Sequence, residues 1–584
     1  MKQIKQITFY ILFNLIYFSF QSFAQPSQGI QLNQVGFYPK GIKIAVVTAP
    51  VSDNRFYVVS VRKKDTVYRG VLTTPRLSKY SSTIAALADF TPFHKSGKFF
   101  IYVPSVGYSY FFNISKSVLK EVAKGTIKGF YFQRMSMPLE ERFAGKWARP
   151  EGHPDTIVFI HPSAATEKRP EGSIIFSPGG WYDAGDYNKY IVNSGITMGT
   201  LFSAYEDFPS YFKKLSISIP ESKNEIPDIL DEALYNLRWM LTMQDPNDGG
   251  VYHKCTNASF DAMIMPDKAT KPRYVVQKST AATLDFVAVL AQAARIFRSF
   301  NKQLPGLSDS CLIAAEKAWQ WAFKNNAVIY NQRELNNLYK PPITTGDYGD
   351  QKFNDEFLWA ASELFITTKE TDYLELVKNN IQEKAGLPSW SNVTMLAYYS
   401  FIRFKNNFPE LGPMINSMQD TIINLADNYI LNAKNNAFGV VMGQSIRDFI
   451  WGSNAVAANE GIVLLNAWLI KKDPKYLDGA LGNLDYILGR NATGYCFVTG
   501  FGSRSTMHPH HRPSVADGIA EPVPGLMAGG PNPGQQDKCP YPSKEPELSY
   551  SDSDCAYASN EVAINWNAPL VYLVNAIEFL EDNQ

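Results

Sequence analysis

The stretch AATLDFVAVLAQAARIF, residues 281–297, repeats apolar side chains at i, i+3, i+4 and i+7. That spacing is typical of an α-helix with a buried face. Three more stretches share it: DEFLWAASELFI (355–366), NEGIVLLNAWLI (459–470) and APLVYLVNAIEFLE (568–581). Long loops rich in Gly, Pro, Asp and His separate the helical stretches, at 171–190, 244–275, 338–356 and 496–560. Because a compact domain keeps such loops mainly where they build a site, the sequence predicts a large helical domain whose loops form a cleft.

The region before the helices has a different pattern. Between residues 26 and 115, short runs rich in Val, Ile, Tyr and Phe alternate with Pro, Gly, Asp and Ser; they are KIAVVT (43–48), RFYVVSV (55–61), KFFIYVP (98–104) and YSYFFNI (108–114). This pattern indicates a small all-β sandwich. We therefore predict a mainly α protein, with a β-sandwich over 25–115 and a helical domain over 116–584.

The N-terminus predicts export. Lys2 and Lys5 precede the apolar run ITFYILFNLIYFSF, and Ser22-Phe23-Ala24 then provides a small-x-small cleavage site. This is the layout of a secretory signal peptide over residues 1–24, with a membrane anchor as the alternative. We expect a periplasmic or extracellular protein, with no later stretch that spans a bilayer.

Charge and cysteine content narrow the function classes. The 584 residues carry 56 Lys and Arg against 55 Asp and Glu, a net charge of +1, so no electrostatic footprint for nucleic acid is present. Five cysteines without a CxxC pair indicate neither a disulfide framework nor a zinc ribbon, although one bridge, Cys539–Cys555, is conceivable. Aromatic residues make up 14% of the chain, which suits either a large core or a cleft that stacks on sugar rings. We expect a monomer.

The loop GGWYDAGDYNKY, residues 179–190, holds two aspartates three positions apart, Asp183 and Asp186. Taken alone, the pair is compatible with a calcium loop, a catalytic pair or a polar turn. Near the C-terminus, Glu561 lies among apolar neighbours, where its pKa should rise as a general acid requires. The competing interpretation is a helix-start glutamate favoured by the helix dipole.

Three histidines lie close together in VTGFGSRSTMHPHHRPS, residues 498–514. His508, His510 and His511 are poorly spaced for one metal ion, and no cysteine or carboxylate adjoins them. His510 followed by Arg512 suits hydrogen bonding to sugar hydroxyls instead. The segment therefore favours substrate binding over metal binding.

These motifs together resemble those of family 9 glycoside hydrolases, in the subgroup with an N-terminal immunoglobulin-like domain. The resemblance covers nearly the whole mature chain, including IQLNQVGFYPKGIKIAVV (30–47), FYFQRMSMPLEERFAGKWARPEGH (130–153), GGWYDAGDYNKY and GGVYHKCT (249–256). One family signature matches at Gly502, Arg504, Pro509, His510 and Arg512; the other matches at Tyr550, Asp552, Tyr557, Glu561, Ala563, Asn567 and Ala568. The resemblance implies an (α/α)6 barrel and endo-1,4-β-glucanase activity on cellulose-like β-glucans.

The family mechanism is inverting hydrolysis, in which an acid and a base stand roughly 6.5–9.5 Å apart to admit a water. By resemblance, Glu561 is the acid, Asp186 the base, and Asp183 helps to hold the water. His510 and Arg512 are expected to bind sugar hydroxyls. Trp451 and Trp566 are expected to be stacking platforms, and His253 and Trp390 are further candidates for the cleft.

The resemblance also bears on metals. Relatives with the sandwich domain often hold a zinc ion through two Cys and two His, but the matching positions here are Met135, Gly152, His153 and His161. Loss of both thiolates argues against zinc. Calcium is the likelier structural ion, because TTGDYGDQKFNDEF (344–357) offers hard oxygen donors; a solvated acidic loop is the alternative. The predicted calcium ligands are Thr345, Gly346, Asp350, Asp355 and Glu356.

Two other functions stay open from the sequence. One is an exo-acting member of the same family, such as a cellobiohydrolase, β-glucosidase or glucosaminidase, because the sequence does not show whether the cleft is blocked. The other is a non-catalytic glycan-binding protein, against which the intact set of three acids argues. The polymer also stays open among cellulose, mixed-linkage glucan, xyloglucan and glucomannan.

Overall fold

The computed structural model describes residues 25–381 and 385–582. The predicted signal peptide, residues 1–24, lies outside the described residues. The described chain begins with a β-sandwich and continues into a helical domain, which confirms the predicted fold class.

The sandwich consists of two sheets whose inner faces share a core that includes Phe56, Ile101 and Phe112. One sheet has the strand order β1-β3-β7-β6, and the other has the order β2-β10-β8-β4-β5 with β9 paired to β8. The strands are β1 Ile30–Gln31, β2 Gly36–Phe37, β3 Ile44–Val47, β4 Arg55–Ser60, β5 Thr66–Val71, β6 Arg76–Leu77, β7 Ile84–Asp89, β8 Gly97–Val103, β9 Gly107–Tyr108 and β10 Phe112–Ile114.

Twelve helices of ten or more residues follow in the described part of the chain, and they alternate between an outer and an inner ring. The outer helices are α1 Lys120–Phe132, α5 Asp228–Thr242, α7 Leu307–Lys324, α10 Thr371–Asn380, α12 Gly412–Ala433 and α14 Pro474–Ile487. The inner helices are α3 Ile191–Asp207, α6 Thr280–Phe297, α9 Asn354–Thr368, α11 Thr394–Arg403, α13 Ser453–Lys471 and α17 Ile564–Asp582. Contacts run from α3 to α6, α6 to α9 and α9 to α11, while α12 touches both α11 and α13. Helix α13 then meets α17, and α17 returns to α3, so the inner ring closes into an (α/α)6 barrel.

The stretch 281–297 forms most of α6, and its sequence explains that helix. Ser279 caps the N-terminus by accepting a hydrogen bond from the Ala282 amide. Every residue of α6 except Arg295 is buried, as an inner-ring helix requires. The helix with its following turn, Thr280–Phe300, is long and apolar enough to cross a membrane, contrary to the sequence expectation, but it is packed inside the barrel.

Smaller elements lie on the loops of the helical domain. A five-stranded sheet has the order β12-β11-β15-β14-β13. Its strands are β11 Val158–Ile160, β12 Ile174–Ile175, β13 Lys189–Tyr190, β14 Lys254–Asn257 and β15 Arg273–Val275. The short helices are α2 Glu141–Ala144, α4 Pro209–Phe212, α8 Gln332–Leu338, α15 Arg512–Ala516 and α16 Tyr557–Asn560. A disulfide joins Cys539 to Cys555, as the sequence analysis considered. It cross-links the loop that precedes Glu561.

Candidate active site

A cavity of about 700 Å³ lies in the helical domain and is lined by well-separated parts of the chain. Asp183 and Asp186 line it from the loop 179–190, and Glu561 lines it from the segment between α16 and α17. The structure therefore brings Glu561 to the pair Asp183 and Asp186, from which it is almost four hundred positions distant in sequence. A volume of this size is typical of small-ligand sites.

The loop that carries the two aspartates is shaped by its glycines. Gly185 lies between them, and a Cβ atom added there would stand 2.0 Å from the backbone oxygen of His510. No other residue type fits that approach. The Gly185 carbonyl accepts hydrogen bonds from Arg512, from the backbone amide at 3.2 Å and from Nη1 at 2.6 Å. Arg512 therefore clamps the loop at the point between the two carboxylates.

Both aspartates are buried and held by side-chain donors. Asp183 accepts hydrogen bonds from Asn193 Nδ2 at 2.6 Å and from the Tyr348 hydroxyl at 3.0 Å. Asp186 Oδ2 accepts from the Tyr190 hydroxyl at 3.2 Å and from both the backbone and the side-chain amide of Asn188. Burial raises the pKa of Asp183, the Asp186 carboxylate raises it further, and the two donors oppose the rise.

Glu561 has extended backbone geometry and precedes α17 by three residues. It forms a parallel β-bridge with His510, and its carbonyl accepts a hydrogen bond from the Gly529 amide at 2.8 Å. The helix-dipole interpretation of Glu561 loses its basis, because the residue is not in the first turn of the helix. Burial is the main cause that raises the pKa of Glu561 well above its usual value; Asp186 and Asp183 add to the rise, and Arg512 opposes it. A carboxyl group kept protonated in this way can act as a general acid.

His510 and Arg512 both line the cavity, but they differ in what they can offer a ligand. His510 Nδ1 lies 2.6 Å from the Asp554 carbonyl, which can only accept, so Nδ1 carries the proton and Nε2 stays available. Burial lowers the pKa of His510, which favours the neutral ring. Arg512 donates from Nε and Nη2 to the Asp261 carbonyl, in addition to its hydrogen bonds to Gly185. Arg512 therefore holds the site together at least as much as it faces the ligand.

Aromatic side chains form much of the remaining cavity wall. Trp451 and Trp566, predicted from the sequence as stacking platforms, line it, and so does Trp390, predicted as a further cleft residue. Trp390 packs edge-on against Tyr348, with ring centroids 5.5 Å apart. Trp451 is 40% exposed and lies 5.4 Å from the Tyr557 ring, so one of its faces is open to a sugar.

The fourth candidate, His253, does not reach the cavity. It is fully buried, its ring stacks on Tyr330 at 4.2 Å, and its two nitrogens contact Ser279 Oγ at 2.9 Å and the Asp347 carbonyl at 2.8 Å. His253 thus supports the segment 345–348 from behind. The sequence could not show this, because a histidine between β-strand residues has the same appearance whether it faces a ligand or the core.

The predicted calcium ligands fall into two separate groups. Thr345 and Gly346 border the cavity side, where Thr345 Oγ1 and the Gly346 carbonyl both accept hydrogen bonds from Lys254 Nζ. The two backbone carbonyls that the sequence predicted as calcium ligands are therefore engaged, that of Gly346 by the ammonium group and that of Thr345 by Gln332 Nε2 at 2.8 Å. Burial lowers the pKa of Lys254 to about 7, and the carboxylates of Asp347 and Asp186 oppose this.

Asp350, Asp355 and Glu356 form the second group, and they are joined by Asp285 from α6. All four side chains are buried. Within the part of the chain that the structure describes, five of their oxygens lack a hydrogen-bond partner: both of Asp285, both of Glu356 and Oδ2 of Asp350. Among residues 25–381 and 385–582, no three His, Cys, Asp or Glu side chains already converge in metal-binding geometry. The four acids thus supply hard oxygen donors but would have to close in around an ion.

The positions that match the zinc ligands of relatives do not fit zinc. A Cβ atom at Gly152 would lie 2.4 Å from Pro266 Cβ, so a cysteine has no room there. Met135 is buried in a small apolar cluster with Tyr182 and Tyr187. His153 packs on the same two tyrosine rings and bonds the Tyr182 hydroxyl through Nδ1.

His161, the fourth of those positions, has both ring nitrogens engaged. Nδ1 contacts Ser163 Oγ and Nε2 contacts the Pro341 carbonyl, each at 2.9 Å. An aromatic and thioether cluster therefore packs beside the aspartate loop where relatives place a metal.

Several residues that hold the reacting groups, rather than supply them, were not predicted from the sequence. Tyr348 was read only as part of an acidic loop, yet its hydroxyl bonds Asp183. Asn193 lies within α3 and gave no signal at all. Phe260, which is 44% exposed on the cavity wall, carried no motif. Only Asn188 and Tyr190 could have been found, because they lie in the loop GGWYDAGDYNKY itself.

Comparison with known proteins identifies the families of both parts of the chain. The family model described as "Glycosyl hydrolase family 9" matches residues 120–574, and that described as "Cellulase N-terminal ig-like domain" matches residues 25–108.

Relatives match over almost the whole chain. The xyloglucan-specific endo-beta-1,4-glucanase BoGH9A of Bacteroides ovatus is 45% identical over 557 residues, which covers 95% of this chain and 94% of that protein. Endoglucanase D of Acetivibrio thermocellus is 33% identical over 552 residues, or 93% and 82% of the two chains. A solved structure described as Bacteroides ovatus GH9 superimposes with a TM-score of 0.89 at 43% identity, covering 95% of this chain and 99% of that one.

Proposed function

Because the chain belongs to glycosyl hydrolase family 9, we propose that it is an inverting endo-β-1,4-glucanase whose preferred substrate is xyloglucan. The observation that carries the chemistry is the presence of Asp183, Asp186 and Glu561 on one cavity. The choice of polymer is supported by the relative of Bacteroides ovatus, whose name specifies xyloglucan.

In the proposed mechanism, Glu561 donates its proton to the oxygen of the departing sugar. Asp186 removes a proton from a water on the opposite face of the ring, and that water attacks the anomeric carbon. Asp183 orients the same water, since its own oxygens are fixed by Asn193 and Tyr348. Water attack opposite to the leaving group inverts the anomeric configuration.

The surroundings of the three acids support these roles. Burial and the two aspartates favour the protonated form of Glu561, as donation to a leaving group requires. The donors on Asp186 come from Asn188 and Tyr190 and satisfy a charged carboxylate. Trp390, Trp451 and Trp566 offer ring faces on which glucosyl units can stack.

A panel of soluble polysaccharides tests the proposal. Purified protein would be assayed on xyloglucan, carboxymethyl-cellulose, mixed-linkage glucan and glucomannan, with viscosity and reducing ends followed together. We expect the highest kcat/KM on xyloglucan, and a loss of viscosity that precedes the release of most reducing ends. Release of short products at constant viscosity would establish exo action instead, and binding without any reducing ends would establish a glycan-binding protein.

The stereochemical part has a separate test. Proton NMR of the first product should show the α-anomer, which then equilibrates with the β-anomer. A β-anomer at the earliest time point would overturn the inverting mechanism and the assignment of Asp186 as a base.

Export, a monomeric state and structural calcium complete the proposal. Export rests on Lys2, Lys5 and the cleavage motif at 22–24, and N-terminal sequencing of secreted material would find Gln25 first. Size-exclusion chromatography with light scattering checks for a monomer, and a dimer mass would overturn that part.

For calcium, we assign the four buried acids Asp285, Asp350, Asp355 and Glu356, without Thr345 and Gly346. Bound calcium would offset two of their four negative charges and hold the start of α9 in place.

A further inference from the structure

Lys254 is a buried cation that the mechanism does not use. It extends from β14, and its ammonium group donates to three oxygens: Gln332 Oε1 at 2.6 Å, Thr345 Oγ1 at 3.2 Å and the Gly346 carbonyl. An ammonium group has three N–H donors and no acceptor, so these partners satisfy it completely. The aromatic rings of Tyr190 and Tyr330 enclose it, with centroids 5.5 and 5.2 Å from Nζ.

One path leads from this ammonium group to Asp186 through Tyr190. Lys254 holds the carbonyl of Gly346, and the amide of the same residue donates to the Tyr190 hydroxyl at 3.1 Å. That hydroxyl then has its single proton left for Asp186 Oδ2, at 3.2 Å. The position of Gly346 therefore fixes the direction in which Tyr190 donates.

A second path leads to the same oxygen through Asn188. Thr345 Oγ1 accepts from Lys254 and lies 2.7 Å from Thr256 Oγ1, which donates to Asn188 Oδ1 at 2.9 Å. The Asn188 oxygen also accepts from the Asn257 amide at 2.9 Å and from Arg273 Nη1 at 3.2 Å, so the Asn188 amide can only turn its NH2 group towards Asp186. Both paths end in a donor that points at Asp186.

We propose that Lys254 is a positioning residue for the general base: it locks the Thr345–Gly346 turn, from which Tyr190 and Asn188 hold the Asp186 carboxylate. This inference rests on the proposed role of Asp186. In this arrangement a fixed ammonium group holds the Thr345–Gly346 turn, where the sequence suggested a calcium ion. Two carboxylates interact electrostatically with Lys254, those of Asp347 and Asp186. Two histidines, His253 and His161, also interact electrostatically with it, and burial lowers the pKa of both, which favours their neutral rings.

The test compares two buried lysines. Lys254→Met removes the ammonium group while keeping an unbranched side chain of similar length. Lys43→Met is the matched control, because Lys43 is equally buried and donates to three carbonyls, those of Tyr38, Pro39 and Gly41, but lies in the sandwich. Each variant would be assayed on xyloglucan and carboxymethyl-cellulose well below its own melting temperature.

For Lys254→Met we expect kcat to fall by roughly 10- to 100-fold with KM almost unchanged, since a small displacement of a reacting group has effects of that size. The acidic limb of the kcat/KM profile should move to higher pH, because the carboxylate of the base loses well-aligned donors. Lys43→Met should keep the wild-type profile whatever its stability. A Lys254→Met enzyme with wild-type kcat and an unmoved acidic limb would overturn the proposal.

A double-mutant cycle with Tyr190→Phe separates positioning from general damage. If Lys254 acts through the Gly346 turn, Lys254→Met should cost clearly less in the Tyr190→Phe background than alone, whereas additive losses would contradict it. Should Lys254→Met fail to fold, Thr345→Val keeps the ammonium group but removes one of its three acceptors, and it should shift the same limb to a smaller extent. Asp186→Asn reports separately on the premise: if that variant keeps near-normal turnover, the base assignment fails whatever Lys254 does.

Discussion

Two groups of buried acids lie on either side of α3. Asp183 and Asp186 face the cavity with Glu561, and we call these the cavity acids. Asp285, Asp350, Asp355 and Glu356 are enclosed by protein, and we call these the sealed acids. Helix α3 touches both groups within three residues. Its Asn193 donates to Asp183, and a Cβ atom at Gly195 would stand 2.7 Å from Asp285 Cβ.

The two groups differ in how their charge is accommodated. The two aspartates of the cavity receive hydrogen bonds from Asn193, Tyr348, Asn188 and Tyr190. Among the sealed acids, the carboxylates of Asp285 and Glu356 receive none. A buried charge without partners is costly, so the sealed acids need either protons or a cation. The cavity acids lie where they can exchange protons with a substrate, and neighbouring donors affect their pKa values. The sealed acids do not reach the cavity, so we expect them to have only a structural role.

The largest expected effect comes from substituting the cavity acids. Asp186→Asn and Glu561→Gln should each lower kcat by roughly 10³-fold or more, because each removes a group that transfers a proton. Substrate affinity should persist, since the shape of the cavity is unchanged. Steady-state kinetics with isothermal titration of an oligosaccharide measures both quantities.

Asp285→Asn is the matched control for these two substitutions. It makes the same change at a buried acid and should leave kcat within about twofold at a temperature where the protein is folded. A near-normal rate in Asp186→Asn, or a rate in Asp285→Asn as low as in Glu561→Gln, would contradict the division into cavity and sealed acids.

The sequence predicted most of the cavity group and only part of the sealed group, for a physical reason. Reacting residues lie in motifs of fixed spacing, so Asp183, Asp186 and Glu561 could be named from the chain alone. The (α/α)6 barrel followed in the same way from apolar spacing and resemblance. Asp285 could not be joined to Asp350, because it lies within the regular pattern of α6 and only the docking of α6 against α9 brings the two together.

The sequence also could not show that Lys254, and not a calcium ion, contacts Thr345 and Gly346. The oxygen donors are visible in the sequence, but the cation that they bind comes from β14, about ninety positions earlier. Sequence reasoning can list acceptors within a loop. It cannot tell which distant donor reaches them.

A second prediction concerns the donors that distinguish the cavity acids. Tyr348→Phe removes the hydroxyl that bonds Asp183 and should lower kcat about tenfold, through poorer orientation of the attacking water. Tyr399→Phe is the matched control, because the Tyr399 hydroxyl is buried without a hydrogen-bond partner and does not line the cavity. Initial rates on xyloglucan measure the effect. Equal rates in the two variants would mean that Asp183 does not depend on its donor.

A third prediction tests how the sealed acids are neutralised. If calcium binds them, adding a chelator should lower the melting temperature of the wild-type protein by several degrees, since a ligand at a hundredfold excess over Kd stabilises by about 2.7 kcal/mol. The chelator should have little effect on Glu356→Gln, which lacks one ligand. Differential scanning fluorimetry with calcium, magnesium or chelator gives the readout. An identical melting temperature in all three conditions would show that these acids share protons instead.

The smallest expected effect is a pH-dependent change in melting temperature when Glu561 is substituted. The pKa of Glu561 is raised in the folded protein, chiefly by burial, so the native state holds this proton more tightly than the unfolded chain does. That contribution to stability is complete below the unfolded value of about 4.3 and is lost as pH rises towards the folded pKa. Glu561→Gln removes the cost of the charged form. The inactive variant should therefore melt higher than wild type at pH 7 and at the same temperature near pH 4. Glu151→Gln, a change at an exposed glutamate, should follow the wild type at both pH values. A Glu561→Gln protein that melts lower than wild type at pH 7 would mean that the charged glutamate stabilises the fold, contrary to this prediction.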